Sequence, residues 1–211
     1  MITIPPVPAM LNALPMVFKI ANTAAAILPY IGKALEMCIG TLGRMHDVLK
    51  PGEKAEVFGF AMQNATKAPK EFENVNSYVE YLRDEIKAGN ININENKDYS
   101  IVDKVAGNAL IAQAVGEKYG LDIGATFWGI ICQKASDEKL KANEISGILT
   151  QAKTQHINPD NIANYIAGNN LESNIQKSEV SSLIIDGLKH ANPTMSNEDI
   201  TNRFNTLLKK D

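Results

Sequence analysis

The side chains best suited to catalysis or metal binding are few in this chain and widely separated. The three histidines are His46, His156 and His190, and the two cysteines are Cys38 and Cys132. A metal site or a nucleophile–base pair needs convergent partners, and no two of these five residues are four positions apart, the spacing that puts two ligands on one helix face. We therefore predict no metal site, no bound cofactor, and structural or surface roles for the histidines.

Two features bear on the compartment in which the protein works. Both cysteines lie inside apolar runs, which is typical of buried free thiols in a reducing compartment, with a single disulfide as the alternative. The N-terminal segment 1–8 has no basic residue and contains three prolines, unlike a secretory signal peptide. We predict a cytoplasmic protein, and export by a secretion system that needs no signal peptide stays open.

The charge of the chain argues against a nucleic-acid partner. The 211 residues carry a formal net charge of −3, whereas binding to a phosphate backbone depends on many lysine and arginine contacts. The charge is also uneven, because residues 1–50 hold four basic and two acidic side chains. The N-terminal region thus has a net positive charge, whereas the rest of the chain has a net negative charge. From the charge of the whole chain we predict no nucleic-acid binding.

One carboxylate lies in a sequence context that resembles a known catalytic site. The segment 110–117, Leu-Ile-Ala-Gln-Ala-Val-Gly-Glu, is followed by Gly-Ile-Ile-Cys-Gln at 129–133. Together they resemble the helix of lysozyme-like lytic transglycosylases that ends in a catalytic glutamate. The resemblance implies glycan hydrolysis with Glu117 as the proton donor, in a partly apolar setting beside Trp128. The sequence departs from the family in that Lys118 follows the glutamate, where the family has serine.

The elements that must position these residues are predicted to be helices. Apolar residues recur at helical spacing through most of the chain, and turn residues separate the periodic stretches. Several stretches are preceded by residues that cap helix N-termini, namely Ser100, Ser136, Asn158, Ser178 and Ser196.

The helices predicted over 101–119 and 122–135 form the expected centre of the core. Both are apolar around most of their circumference, which is typical of buried helices. The side chains that we expect to be buried there are Val105, Ala109, Ala112, Phe127, Ile131 and Cys132.

The N-terminal region is unusually apolar and is interrupted by prolines. Pro15 and Pro29 each fit the first turn of a helix and are unfavourable in a helix interior, because proline has no N–H to donate. The helical segments predicted on this basis are 9–14, 15–28 and 29–49.

These patterns together predict an all-α fold of roughly eight to ten helices in a compact, bundle-like domain. The turn Lys50-Pro-Gly-Glu53 separates an apolar N-terminal region, residues 1–50, from a helical domain, residues 51–211. We expect the N-terminal segments to form an apolar helical hairpin that packs on the second region as one unit.

The segment 16–28 leaves few polar positions for a face toward solvent. A surface helix of a globular protein normally keeps a wide polar face, so we expect another protein or a second copy of the chain to cover part of this segment. The residues predicted to make this contact are Met16, Phe18, Ile20, Ile27, Leu28 and Ile31.

The sequence therefore favours a non-enzymatic helical protein-interaction protein of bacterial type, such as an accessory, adaptor or immunity-like factor. One alternative is a membrane-active or exported effector whose apolar N-terminal region contacts lipid. Every apolar window long enough to span a bilayer is interrupted, so this region would lie at the interface or insert into lipid after a conformational change. The interrupting residues are Lys19, Asn22, Pro29, Lys33 and Glu36. A further alternative is the glycan hydrolase with Glu117.

Overall fold

The computed structural model of the protein describes residues 7–94 and 98–209, with the backbone alone for residues 7–15. Every regular element in this described part is helical, which confirms the all-α prediction. Single 3₁₀ turns occur at Leu28–Tyr30 and Pro69–Glu71. The ten α-helices are α1 (Val7–Ile27), α2 (Lys33–Met45), α3 (Ala55–Asn64), α4 (Val75–Lys87), α5 (Ile101–Tyr119), α6 (Ala125–Ser136), α7 (Ala142–Gln155), α8 (Pro159–Ala167), α9 (Lys177–Ala191) and α10 (Asn197–Leu208).

The starts of α5 and α10 follow the predicted capping chemistry. Ser100 Oγ accepts a hydrogen bond from the backbone N–H of Asp103, and Ser196 Oγ accepts one from that of Asp199, both at 3.1 Å. Each bond satisfies an N–H of the first turn that has no partner within the helix. At its other end α5 stops at Gly120, whose φ of 66° lies in the left-handed region that favours glycine.

Two of the predicted helix starts are wrong. Ser178 lies inside α9, whose N-cap is Gln176, and no helix starts at Ser136. Ser136 is the last residue of α6, and the chain leaves the helix through Glu138, which has a φ of 57°. The Lys139 N–H bonds back to the Lys134 carbonyl at 2.8 Å, which closes the end of α6 instead of opening a new helix. Helix α7 begins only at Ala142, six positions after Ser136.

The predicted break at Pro15 is also wrong. Pro29, in contrast, lies in the first turn of a helical segment, as predicted. Helix α1 continues through Pro15, with the loss of the one hydrogen bond that proline cannot donate. The second half of α1 packs on α5 and α6, and burial of its apolar side chains there stabilises a continuous helix. Pro29 stands in the first turn of the 3₁₀ segment that ends α1.

A single apolar core joins both parts of the chain. Helix α5 is central and contacts α1, α2, α3, α4 and α7, while α6 contacts α1, α2 and α8. The C-terminal layer is held by contacts of α9 with α7, α8 and α10. All six side chains predicted to be in the core are buried, namely Val105, Ala109, Ala112, Phe127, Ile131 and Cys132.

Two pairs of helices cross at glycines. Helices α3 and α5 meet at Gly59 and Gly107, where an added Cβ would overlap backbone atoms of the opposite helix. Helices α7 and α9 meet in the same way at Gly147 and Gly187. Because no side chain fits at either crossing, the glycines set the distance between the helix axes in both halves of the core.

The N-terminal region contributes to the same core as the rest of the chain. Helices α1 and α2 each contact α5 and α6, and Ile27 and Leu35 belong to one buried cluster with Leu149 and Leu207. The predicted hairpin of residues 9–49 rests in part on side chains of 9–15, which lie outside the described residues, so it stays a prediction. Within the described ranges, none of the helices combines the length and apolarity needed to cross a bilayer.

Candidate functional site

The inner face of α1 is fixed to the core by a regular stripe of side chains. Met16, Ile20, Thr23 and Ile27 are buried, at the spacing of i, i+4, i+7 and i+11 that defines one helix face. The buried Thr23 hydroxyl accepts a hydrogen bond of 2.7 Å from the Gln113 amide of α5. The two polar groups satisfy each other inside an apolar contact, and together with the three buried apolar side chains they fix this side of α1 against the core.

The opposite face of α1 is apolar as well, although it is exposed. Phe18 is 63% exposed and Leu28 is 50% exposed, and Val17, Ala21 and Ala25 are also exposed. We call these five residues the outer α1 face. Apolar residues thus continue along about three helix turns of this exposed side, with the exposed Lys19 and Asn22 at its edge. Exposed apolar patches of this kind are often sites of contact between proteins.

The structure separates the six predicted contact residues into two groups. Met16, Ile20 and Ile27 point into the core, where a partner of the folded chain does not reach them, whereas Phe18 and Leu28 are exposed. Ile31 is half-buried at the start of the segment that leads to α2. The residues that the prediction missed on this face are Val17, Ala21 and Ala25, which are exposed on the same side of the helix as Phe18 and Leu28.

A second apolar surface lies between α2 and the start of α7. It is a groove of about 450 Å³, which we call the methionine groove. Met37 and Met45 are 58% and 46% exposed along its α2 side. Neither was predicted to lie on a contact surface, although the four-residue repeat of Met37, Thr41 and Met45 is the pattern that marks this face. The residues that line it include Ala34, Met37, Cys38, Thr41, Met45 and Leu140.

Both cysteines are free thiols, and neither is suited to nucleophilic chemistry at neutral pH. Burial raises the pKa of Cys38 to about 12 and raises the pKa of Cys132 as well. The thiol and not the reactive thiolate is therefore the form present near pH 7. Cys38 contributes a small apolar surface to the floor of the methionine groove.

The carboxylate of Glu117 is used to hold the start of α4. Its Oε1 accepts a hydrogen bond from the Val75 N–H at 2.8 Å, and its Oε2 accepts bonds from the N–H and the side-chain amide of Asn76 at 3.0 and 2.8 Å. These donors are at the N-terminus of a helix, where a negative charge is stabilised. Both carboxylate oxygens thus have structural partners, and the sequence resemblance gives no hint of this role.

Glu117 also lines a shallow cleft together with a second carboxylate. The cleft has a volume of about 520 Å³ and includes Lys19 and Asp122. Asp122 forms an ion pair of 2.7 Å with Lys19 of α1. A glycosidase needs one carboxylic acid that is free to protonate the leaving group and a second carboxylate directed at the sugar. Here one carboxylate caps a helix and the other is paired with a lysine.

A hydrogen-bonded cluster joins α5, the end of α2 and α7. The Tyr119 hydroxyl lies 2.8 Å from His46 Nε2 and 2.7 Å from Ser146 Oγ, and Ser146 Oγ lies 3.3 Å from His46 Nε2. Burial lowers the pKa of His46 and raises the pKa of Tyr119, so both groups are neutral near pH 7. No sequence pattern pointed to this cluster, because its members are far apart along the chain.

The cluster has the residue types of a proton relay but lacks the setting of a nucleophile. In the part of the chain that the structure describes, no carboxylate hydrogen-bonds to His46, so nothing orients the imidazole as a general base. The three side chains line neither the methionine groove nor the cleft at Glu117. The arrangement fastens three helices together.

The described residues bring no three histidine, cysteine or acidic side chains together in a way that would hold a metal ion. The outer α1 face and the methionine groove contribute less than the Glu117 and His46 clusters to holding the helices of the chain together. Comparison of the chain with known protein families, with curated proteins and with solved structures finds no match.

Proposed function

We propose that this chain is a non-enzymatic helical protein-interaction protein and that the outer α1 face binds a second copy of the chain. The observation that carries the proposal is the exposure of Phe18 and Leu28 on a helix whose other face is already buried. Folding alone does not require apolar residues on the solvent side, and their exposure is unfavourable until a partner covers them.

The order of large and small residues on this face suits a symmetric contact. Phe18 and Leu28 stand at the two ends, and Ala21 and Ala25 stand between them. In an antiparallel pair of α1 helices related by a two-fold axis, Phe18 would lie opposite Leu28 of the second copy and Ala21 opposite Ala25. The alanines allow the helices to approach closely while the larger side chains pack at both ends.

The charges near the face are compatible with this contact. Lys19, the charged residue next to Phe18, is paired with Asp122 of its own chain at 2.7 Å. Two copies therefore meet without an uncompensated lysine on each side, which would otherwise oppose association. A contact made by one helix from each copy is small, so we expect weak association, on the order of micromolar.

The first prediction is that the protein dimerises through the outer α1 face. Light scattering and sedimentation over a wide range of concentration should show a monomer–dimer equilibrium. The combined change Phe18→Ser and Leu28→Ser should abolish the dimer and lower the melting temperature only slightly, because more than half of the apolar surface that it removes is exposed in the monomer.

A matched control is Val102→Ser, since Val102 is an apolar residue of α5 that is 58% exposed and is not part of the outer α1 face. This variant should dimerise like the wild type. A wild-type protein that stays monomeric at the highest concentration would contradict the proposal. If that monomer instead floats with anionic liposomes and the Phe18→Ser and Leu28→Ser variant does not, the membrane-active alternative takes its place.

A further inference from the structure

The methionine groove offers an apolar floor between two exposed side chains. Ala34, Cys38 and Leu140 contribute to its floor, and Met37 and Met45 stand along one side. Methionine is flexible and polarisable, so a surface lined by it adapts to different apolar side chains. Such a surface is suited to a protein partner more than to one rigid small molecule.

The length of the groove corresponds to a short stretch of helix. Its α2 side runs from Ala34 to Met45, which is about 16 Å at the rise of an α-helix. An apolar helix face of three turns spans the same distance, with anchors at i, i+3 or i+4, and i+7. The volume of about 450 Å³ is enough for a row of such anchoring side chains, while the helix that carries them stays outside the groove.

The rim of the groove is basic. Lys33 precedes Met37 by one helix turn, Arg44 extends beside Thr41, and Lys141 lines the opposite side. Among the described residues that line the groove itself, Lys141 is the one cation and Glu138 the one carboxylate, so the excess of positive charge comes from Lys33 and Arg44 on the flank of α2. Within residues 7–94 and 98–209 none of the three cations forms an ion pair, so their charges face outward without a partner from this chain.

We infer that the methionine groove binds an amphipathic helix of another protein, one that carries acidic residues beside its apolar stripe. The apolar floor takes the large side chains, and the carboxylates that flank them meet Lys33, Arg44 and Lys141. The outer α1 face of a second copy does not match this description, because Lys19 is its neighbouring charge. The inference concerns a different surface and does not depend on dimerisation.

The test uses two synthetic helical peptides of about eighteen residues, five turns, that share one leucine stripe. One peptide has glutamates beside the stripe, and the other has lysines at the same positions. Fluorescence anisotropy with the full chain should show the acidic peptide binding about tenfold more tightly or better at low salt. The difference should shrink at high salt, because exposed charges are then screened.

Three variants locate the binding. Met37→Glu combined with Met45→Glu should weaken the acidic peptide about tenfold or more, through lost apolar contact and added like charge. Lys33→Glu combined with Lys141→Glu should reverse the preference toward the basic peptide. Met195→Glu is the matched control, since Met195 is 42% exposed outside the groove, and it should bind like the wild type.

Circular dichroism establishes that each variant is folded before its binding is measured. Absence of binding to either peptide, or equal affinity for both, would overturn the inference. So would an effect of Met195→Glu as large as that of the groove variant. Sedimentation of the groove variant separates the two proposals, because its dimerisation should be that of the wild type even where peptide binding is lost.

Discussion

The first helix and the last two helices of the protein meet solvent in opposite ways. In α9 and α10 every exposed residue is polar or charged, including Glu179, Asp186 and Asn202. In α1 the exposed residues between positions 16 and 28 are mostly apolar. All three helices bury an apolar stripe, so they differ only in the face that is exposed to solvent.

The helices also differ in how their ends and attachments are built. Helix α10 begins at a serine cap with two acidic residues in its first turn, and its Arg203 forms a bidentate ion pair with Glu144 of α7 at 2.7 Å for both bonds. Helix α1 has no acidic residue in its first turn and no basic residue in its last. The C-terminal helices therefore carry the features that stability alone requires, whereas the outer side of α1 carries features that stability does not explain.

The largest expected effect comes from a charge on the inner side of α1. Ile27 has no exposed surface, and Ile27→Glu would place an unpaired carboxylate in the core. We expect the free energy of unfolding to fall by at least about 4 kcal/mol, which unfolds much of a domain of ordinary stability. Chemical denaturation followed by circular dichroism measures this, with Ile27→Val as a mild control. A folded variant of near wild-type stability would show that α1 is not part of the core.

A smaller loss is expected when the attachment of α10 is broken. Arg203→Ala leaves the Glu144 carboxylate, which is 1% exposed, without its partner. Removal of one member of a buried pair costs about 3 kcal/mol or more, because the remaining charge stays desolvated. The neighbouring exposed residue gives the control Asn202→Ala, which should be nearly neutral. A loss below about 1 kcal/mol for Arg203→Ala would show that the pair contributes no more than a surface salt bridge.

The smallest effect on stability is expected one residue after Ile27. Leu28 is half exposed, and Leu28→Glu should change the free energy of unfolding by less than about 0.5 kcal/mol. The same change should abolish dimerisation, because each new carboxylate would lie against Phe18 of the second copy and would lose its hydration without gaining a partner. Stability and oligomeric state measured on one sample test both expectations. A large loss of stability with an unchanged dimer would mean that the two faces of α1 have been assigned the wrong way round.

The number of helices and most of their ends could be predicted because they depend on neighbours a few residues away. The serine caps at Ser100 and Ser196 and the glycine at Gly120 act on the backbone of their own turn. The errors at Pro15 and Ser136 arose where a local preference was outweighed. Packing of α1 on α5 and α6 overrides the proline, and a left-handed residue at Glu138 closes α6 after the serine.

The candidate site was predicted only as a region. Met16, Ile20 and Ile27 are as apolar as Phe18 and Leu28, so hydrophobic periodicity alone does not indicate which side of α1 is inner. That choice is made by the packing of α1 on α5 and α6, which includes the hydrogen bond of Thr23 to Gln113, 90 positions away along the chain. The methionine groove likewise forms only when α2 and the start of α7 are brought together.

The sequence by itself determined the all-α class, the central position of α5 and α6, and the presence of more apolar surface near the N-terminus than one core needs. Helical periodicity and capping are local, and they act within a few residues wherever the segment ends up. Only the tertiary structure decided that Glu117 caps α4, that His46 joins Tyr119 and Ser146, and that α1 exposes Phe18. Each of these depends on groups from distant parts of the chain meeting within hydrogen-bond or van der Waals distance, and no pattern along the chain records such a meeting.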